Sequence, residues 1–433
     1  MQKFAPGFLI GASTAAHQVE GNNIHSDYWL QEQMPHSSFT EPSGDACDHY
    51  RRYEEDIQLL AQAGLNAYRF SIEWARVEPE EGQFDPKEIE HYRDVIRCCK
   101  TNGVEPIVTL HHFTSPAWLI RKGGWEAEST VEYFRRYAAY VTEQLGGELR
   151  YICTINEANM GLQLAAIAKR FQLMAQQAAK AQAAGAKKAE GTVQVGMNFE
   201  KMMENMKYAG EENAQAFGTP QPQIFVNSRT PEGDILVFRA HQAAKEAIKS
   251  LYPEMQVGIT LSLHDLQALP GGESFAAAEW EGEFRHYLPY IQEDDFLGVQ
   301  NYTRTQYGPG GQLPAPEGAE LTQMDYEFYP EALEHVIRKV REDFKGDLIV
   351  TENGIATADD TRRVEFIRRA LAGVQNCMKD GIPVKGYCHW SLMDNFEWQK
   401  GFAMQFGLIA VDRANGQTRS PKPSLALLGS YRG

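Results

Sequence analysis

Eight apolar, β-prone runs recur along this 433-residue chain, and helical patterns separate most of them. The runs are Phe8–Ser13, Ala67–Trp74, Pro106–His112, Tyr151–Asn156, Val257–Leu263, Phe296–Tyr302, Leu348–Glu352 and Val384–Ser391. Between them lie helical stretches at Asp48–Ala63, Pro86–Asn102, Thr130–Leu145, Asp234–Leu251, Tyr329–Phe344 and Thr361–Lys379. Gly64 and Gly103 stop the first two, and Pro86 opens the second, as expected from the asymmetry of helix ends. A strand followed by a helix must run parallel to the next strand, because the crossover returns the chain to its starting edge. Eight such units argue for a closed (β/α)8 barrel, a TIM barrel, as one catalytic domain over residues 1–433.

One stretch breaks the rhythm. Residues 164–190 are rich in Ala, Gln and Lys, and the chain up to about 228 carries many Met, Asn and Gly residues. Its first part favours helix on intrinsic propensity. No Pro/Gly/Ser tract isolates it, so residues 160–230 read as an atypical excursion after the fourth strand, within the same domain. It leaves from the strand that carries Glu157, which makes it an expected wall of the cleft on the leaving-group side; ordinary structural packing is the equal alternative.

A formal charge of −16 disfavours nucleic acid and anionic membranes as partners. No segment is long and apolar enough to span a bilayer, and the amino terminus shows no cleavable leader. The six cysteines form no CxxC pair; reduced thiols in a cytoplasmic protein are the simplest expectation.

Barrel chemistry gathers where strands end and loops begin. His111 and His112 end the third run, Asn156 and Glu157 the fourth, Tyr302 the sixth, Glu352 the seventh and Trp390 the eighth, while Arg69 lies within the second. Two glutamates delivered by separate strand ends are what cleavage of a glycosidic bond requires, one to protonate the leaving oxygen and one to attack or stabilise the sugar carbon. Adjacent strand residues point to opposite faces, so His111 should face away from His112, and this pair does not make a metal site. No metal and no organic cofactor is expected.

Several ordered strings carry a wider likeness: Phe8-Leu-Ile-Gly-Ala12, Gln18-Val-Glu-Gly21, Ala67-Tyr-Arg-Phe-Ser-Ile-Glu-Trp74, Thr109-Leu-His-His112, Thr154-Ile-Asn-Glu157, Thr351-Glu-Asn-Gly354 and Trp390-Ser-Leu-Met-Asp-Asn-Phe-Glu-Trp398. Together they resemble glycoside hydrolase family 1, the retaining β-glycosidases, from residue 8 to about 425, with the likeness weakest between roughly 160 and 230. The resemblance implies that Glu157 is the acid/base and Glu352 the nucleophile. It implies that Arg69 and Tyr302 hold that nucleophile, and that Gln18, His112, Asn156, Trp390, Glu397 and Trp398 contact the sugar. The expected partner is a small-molecule β-glycoside. Members acting on 6-phosphorylated sugars usually replace the carboxylate found here as Glu397, so an unphosphorylated β-glucoside is expected. A transglycosylating member and a non-catalytic sugar-binding barrel are the alternatives.

This chain departs from the family pattern in three places. Ala158-Asn159-Met160 follows the acid/base where proline is usual, Gln300 stands in place of asparagine two residues before Tyr302, and the Ala/Gln/Met excursion replaces the usual helix entry. All three are expected to touch the leaving-group side and to leave the sugar side intact.

Overall fold

The computed structural model describes residues 2–167 and 196–433. Eight parallel strands close into a barrel: β1 (Leu9–Ser13), β2 (Ala67–Ser71), β3 (Glu105–His111), β4 (Tyr151–Ile155), β5 (Gln256–Ser262), β6 (Phe296–Gln300), β7 (Asp347–Asn353) and β8 (Val384–Trp390). Each pairs with its sequence neighbours, and β1 closes the ring on β8, with Leu9 opposite Gly386 and Ser13 opposite Trp390. The (β/α)8 expectation holds, and every expected strand lies at its expected place. Boundaries differ by a few residues: β2 stops at Ser71, and the chain turns into a short helix over Trp74–Val77.

Helices start where the caps are. Asp85 accepts a hydrogen bond from the Lys87 amide ahead of Pro86–Thr101, and Thr230 accepts from the Gly233 amide ahead of Pro231–Leu251. Each satisfies an amide that the first helical turn leaves without a partner, with proline at a position that needs none. The apolar faces of these helices pack on the barrel's outer surface, with Ile89, Tyr92 and Ile96 from the first and Val237, Phe238 and Ala244 from the second buried.

Inside, Leu9, Ala67, Ile107, Cys153, Phe296, Ile349 and Cys388, one from each of seven strands, form an apolar layer that plugs the barrel. Two residues further along β2, on the same face by strand alternation, comes Arg69, fully buried. The barrel therefore changes from apolar to polar towards the carboxyl ends of its strands. In β7, the register against both neighbours shifts after Val350. A bulge of this kind re-aims the next side chain, which here is Glu352.

Of the excursion, the chain is helical from 160 to 167 and again over Phe199–Phe217. The second helix packs against Asp27–Glu32, which follows β1, and Ala117–Arg121, which follows β3. Lys201 Nζ donates to the Phe39 carbonyl at 3.0 Å, and the His36 ring stacks on Tyr208 with centroids 3.6 Å apart. Ahead of that helix, the Gln399 amide donates to the Gly196 carbonyl at 2.9 Å, and the Asn198 amide to Gln399 Oε1 at 2.7 Å. The described part of the excursion thus crosses the barrel mouth to the loops after β1, β3 and β8. Of the segment expected to form a wall on the leaving-group side, residues 168–195 lie outside the described residues. Among the described residues, no helix is long and apolar enough to cross a membrane.

Candidate active site

Glu352, aimed inward by the β7 bulge, is 3% exposed. Arg69 Nη1 donates to its Oε1 at 2.6 Å, and the Tyr302 hydroxyl donates to its Oε2 at 2.7 Å. Burial raises its pKa above the ordinary carboxylate value, opposed by the Arg69 charge and by hydrogen bonds from Tyr302, Arg69 and Gln300. Each of these donors favours the ionised carboxylate.

Glu157 follows the end of β4, with its backbone in the left-handed region at φ 44°. A non-glycine residue there carries a cost of order 1 kcal/mol or more, tolerated where the surroundings hold it. Its amide donates to Thr260 Oγ1 at 3.0 Å. Among the described residues, its carboxyl has no cation in contact. Burial, then the charge of Glu352, pushes its pKa well above the ordinary carboxylate value, opposed by a hydrogen bond with Ser262 and the more distant charge of Arg69. Two buried carboxyls that feel each other cannot both ionise freely. The donors sit on Glu352, so the shared proton resides on Glu157.

Asn156 is the hub between them. Its Oδ1 accepts from Arg69 Nη2 at 2.5 Å, Gln300 Nε2 at 2.8 Å and Thr260 Oγ1 at 3.1 Å. Three donors on one oxygen fix the orientation of the amide. Its Nδ2 therefore faces His112 Nε2, 3.1 Å away. Burial and the charge of Arg69 lower the His112 pKa far enough to keep the ring neutral near pH 7. His112 stacks on Trp390 with centroids 5.6 Å apart.

On the other side, Gln18 Nε2 donates to the Phe396 carbonyl at 2.8 Å and approaches Glu397 Oε2 at 3.4 Å. Gln18 Oε1 is buried with no partner among the described residues, an acceptor suited to a hydroxyl donor. Glu397 is 4% exposed. Burial and the charge of Glu352 raise its pKa to about 8, against hydrogen bonds from Gln18 and Trp390. Trp398, at φ 48°, lies between His112 and the His17 ring, with centroid separations of 6.1 Å to each. His17 in turn is paired with buried Glu32 at 2.7 Å.

The structure brings Gln18, Arg69, His112, Asn156, Glu157, Tyr302, Glu352, Trp390, Glu397 and Trp398 into one buried cluster at the carboxyl end of the barrel. His111 points away, as alternation requires, with its Nε2 3.0 Å from Ser115 Oγ and its ring among Trp125 and Phe225. Among the described residues, no three His, Cys, Asp or Glu side chains are grouped to hold a metal ion.

Two expectations are corrected. Gln300 does not face the leaving-group side: it ends β6 and reaches inward to Asn156 and Glu352. Ala158 and Met160 are fully buried, and Asn159 is held by the Ser262 backbone and the Glu283 carbonyl, so this triplet supports the site from behind. Sequence reasoning passed over Thr260 and Ser262. Their signal was available: they alternate with Ile259 and Leu261 in β5 and with Leu263 just after it, a period-two polar face in an otherwise apolar run.

Comparison with known proteins agrees with this geometry. The family model for Glycosyl hydrolase family 1 matches residues 1–185 and 284–430. A beta-glucosidase from Agrobacterium sp. is 29% identical, over 98% of this chain and 94% of its own. Among solved structures, beta-glycosidase BGL167 superposes with a TM-score of 0.86 at 44% identity, covering 99% of this chain and 96% of its own. Beta-glucosidase 1317 superposes with a TM-score of 0.83 at 40% identity, over 98% of both chains.

Proposed function

This chain belongs to glycosyl hydrolase family 1, and from that premise we propose that it hydrolyses unphosphorylated β-glucosides by double displacement, with Glu352 as nucleophile and Glu157 as acid/base. The observation that carries the assignment is the asymmetry of the two carboxyls. Glu352 takes a guanidinium and a phenol at 2.6 and 2.7 Å, whereas Glu157 has no cation in contact among the described residues and a pKa well above the ordinary value. The ionised group attacks and the protonated one donates.

In the first step, a Glu352 oxygen forms a bond to the anomeric carbon as the bond to the leaving oxygen breaks. Glu157 delivers its proton to that oxygen and becomes a carboxylate. In the second step, Glu157 takes a proton from water, the water oxygen bonds to the anomeric carbon, and the bond to Glu352 breaks. Both glutamates return to their starting states. Asn156, its oxygen saturated by three donors, presents its amide nitrogen as a donor to the 2-hydroxyl, where contact strengthens in the transition state. Gln18 and Glu397 take the hydroxyls farthest from the reacting carbon, and Trp390 and Trp398 supply flat apolar surface for the ring.

The unphosphorylated preference rests on charge. Glu397 is flanked by Gln18 and Trp390, neither of them a cation that would balance a phosphate. The six cysteines are free thiols and fit a reducing, cytoplasmic setting. The test is hydrolysis of an aryl β-glucoside followed by proton NMR of the sugar as it forms. The β-anomer is expected first. Release of the α-anomer first, or no turnover, would overturn the proposal.

A further inference from the structure

The returning end of the excursion reaches the sugar pocket itself. Gly196 is buried, and a methyl group placed on its α-carbon would lie 2.6 Å from the Glu397 carbonyl oxygen, 3.1 Å from its Cγ and 3.2 Å from its Oε1. The first of these is backbone and sits inside contact distance, so it yields only if the chain moves. The approach is held by two hydrogen bonds between this segment and the β8 loop, Gln399 amide to Gly196 carbonyl and Asn198 amide to Gln399 Oε1. Gln18 reaches the opposite oxygen, Oε2, at 3.4 Å, and Trp390 comes from β8 itself. Gly196 therefore limits the space on the Oε1 side of the carboxyl, and it does so from a segment that begins beside Glu157.

We propose that Gly196 is a specificity-determining residue: residues 196–198 seat Glu397 against the sugar and set how the pocket accepts the substituents farthest from the anomeric carbon. This deepens the β-glycosidase reading and rests on it. A pyranose carries those substituents at carbons 4 and 6, and the hydroxymethyl group at carbon 6 is the bulkier. A glycine at 196 leaves room for Glu397 to hold it; any side chain displaces the carboxyl towards the sugar or forces the strap off the β8 loop. The effect falls on the glycone alone, because the leaving group is bound on the far side of the anomeric carbon.

The test compares kcat/KM of Gly196→Ala with that of the unsubstituted protein on three aryl substrates with one leaving group: the β-glucoside, its 4-epimer the β-galactoside, and the β-xyloside, which lacks the hydroxymethyl group. A second aryl group on glucose controls for the leaving-group side. The glucoside is expected to fall at least about tenfold, the loss expected when a hydrogen bond to a buried hydroxyl is weakened, and the xyloside by clearly less. The ratio between the two aryl glucosides stays as it was. Equal falls for glucoside and xyloside, or a changed aryl ratio with an unchanged sugar ratio, overturn the proposal. Should Gly196→Ala fail to fold, Gln399→Ala decides. It removes the acceptor of the Asn198 amide without adding bulk, and it is expected to shift the glucoside-to-xyloside ratio; an unmoved ratio overturns the proposal. No turnover by the unsubstituted protein refutes the glycosidase reading instead, so the two failures are distinct.

Discussion

Removing the Tyr302 hydroxyl isolates one of the three direct supports of the proposed nucleophile. Tyr302→Phe keeps the ring, which packs edge-on against Phe406 with centroids 6.0 Å apart, and deletes the donor 2.7 Å from Glu352 Oε2. Arg69 still holds Oε1 at 2.6 Å, so the carboxylate keeps its place. A hydrogen bond to a charged group contributes ~1.5–3 kcal/mol. One pKa unit corresponds to about 1.4 kcal/mol, so the shift is about 1–2 units. The sign follows from the state being stabilised. The phenol favours the ionised form, so without it Glu352 holds its proton to higher pH, and the acid limb of kcat/KM moves up. That limb reports the lower apparent pKa of the Glu157–Glu352 pair in the free protein, since the two titrate together. The assay is kcat/KM on an aryl β-glucoside from pH 4 to pH 9, with circular dichroism to confirm the fold. An acid limb that stays put, or moves down, refutes the argument that Tyr302 holds Glu352 ionised.

Further outcomes follow from the same geometry. Glu352→Gln abolishes turnover while keeping the shape of the site, and by removing the second-largest cause of the raised Glu157 pKa it lowers that pKa; carbon-detected NMR titration of Glu157 checks it, and an unchanged value counts against the coupling. Glu157→Gln slows alkyl glucosides, whose leaving oxygen needs the proton, by roughly 10²–10⁴ and activated aryl glucosides far less in the first step; equal losses would remove Glu157 from the acid role. Away from the site, Arg419 clasps buried Asp56 through two bonds of 2.7 and 2.9 Å, with His49 at 2.8 Å. Arg419→Met leaves that carboxylate short of its cation and should lower unfolding free energy by about 3–5 kcal/mol at pH 7. Burial pushes the Asp56 pKa up, but the bonds from Arg419 and His49 win and hold it below its ordinary value. The pair's contribution is therefore complete above the unfolded pKa of about 3.9 and is lost as pH falls through the folded value. Urea unfolding should show the difference narrowing in acid; a constant difference would assign the loss to packing.

The barrel was legible because each strand is an apolar run with its own punctuation, and eight such runs leave few alternatives. The site was legible where a polar residue interrupts a strand end, as at Asn156, Glu157 and Glu352. What escaped was reach and docking. Gln300 was misplaced because sequence spacing gives a side chain's starting point and not the groups it meets. Thr260 and Ser262 were overlooked because small hydroxyls in a strand look like ordinary β-formers until the face they share is known. For the excursion, composition predicts a helix over its first part, which is helical at 160–167 and otherwise lies outside the described residues; the surfaces that receive Phe199–Phe217 belong to loops remote in sequence. The bond from Asn198 to Gln399 spans 201 residues, and that from Lys201 to Phe39 spans 162. Local propensity carries no information about such partners.

The seam between β1 and β8 has a consequence for how the molecule comes into being. During synthesis, the first strand emerges long before the last, and until Val384–Trp390 arrives β1 presents an unpaired edge to whatever is near. The bonds that build the site are as remote as the seam: Arg69 to Glu352 spans 283 residues and Gln18 to Glu397 spans 379. A nascent chain that stops short of β8 therefore carries both glutamates but neither a closed ring nor the far end of the sugar pocket. Contacts of this sequence separation are slow to form, because the intervening loop must be closed before they return anything. The same geometry ties catalytic competence to completion, so that turnover on an aryl glucoside would serve as a direct readout of ring closure in refolding experiments.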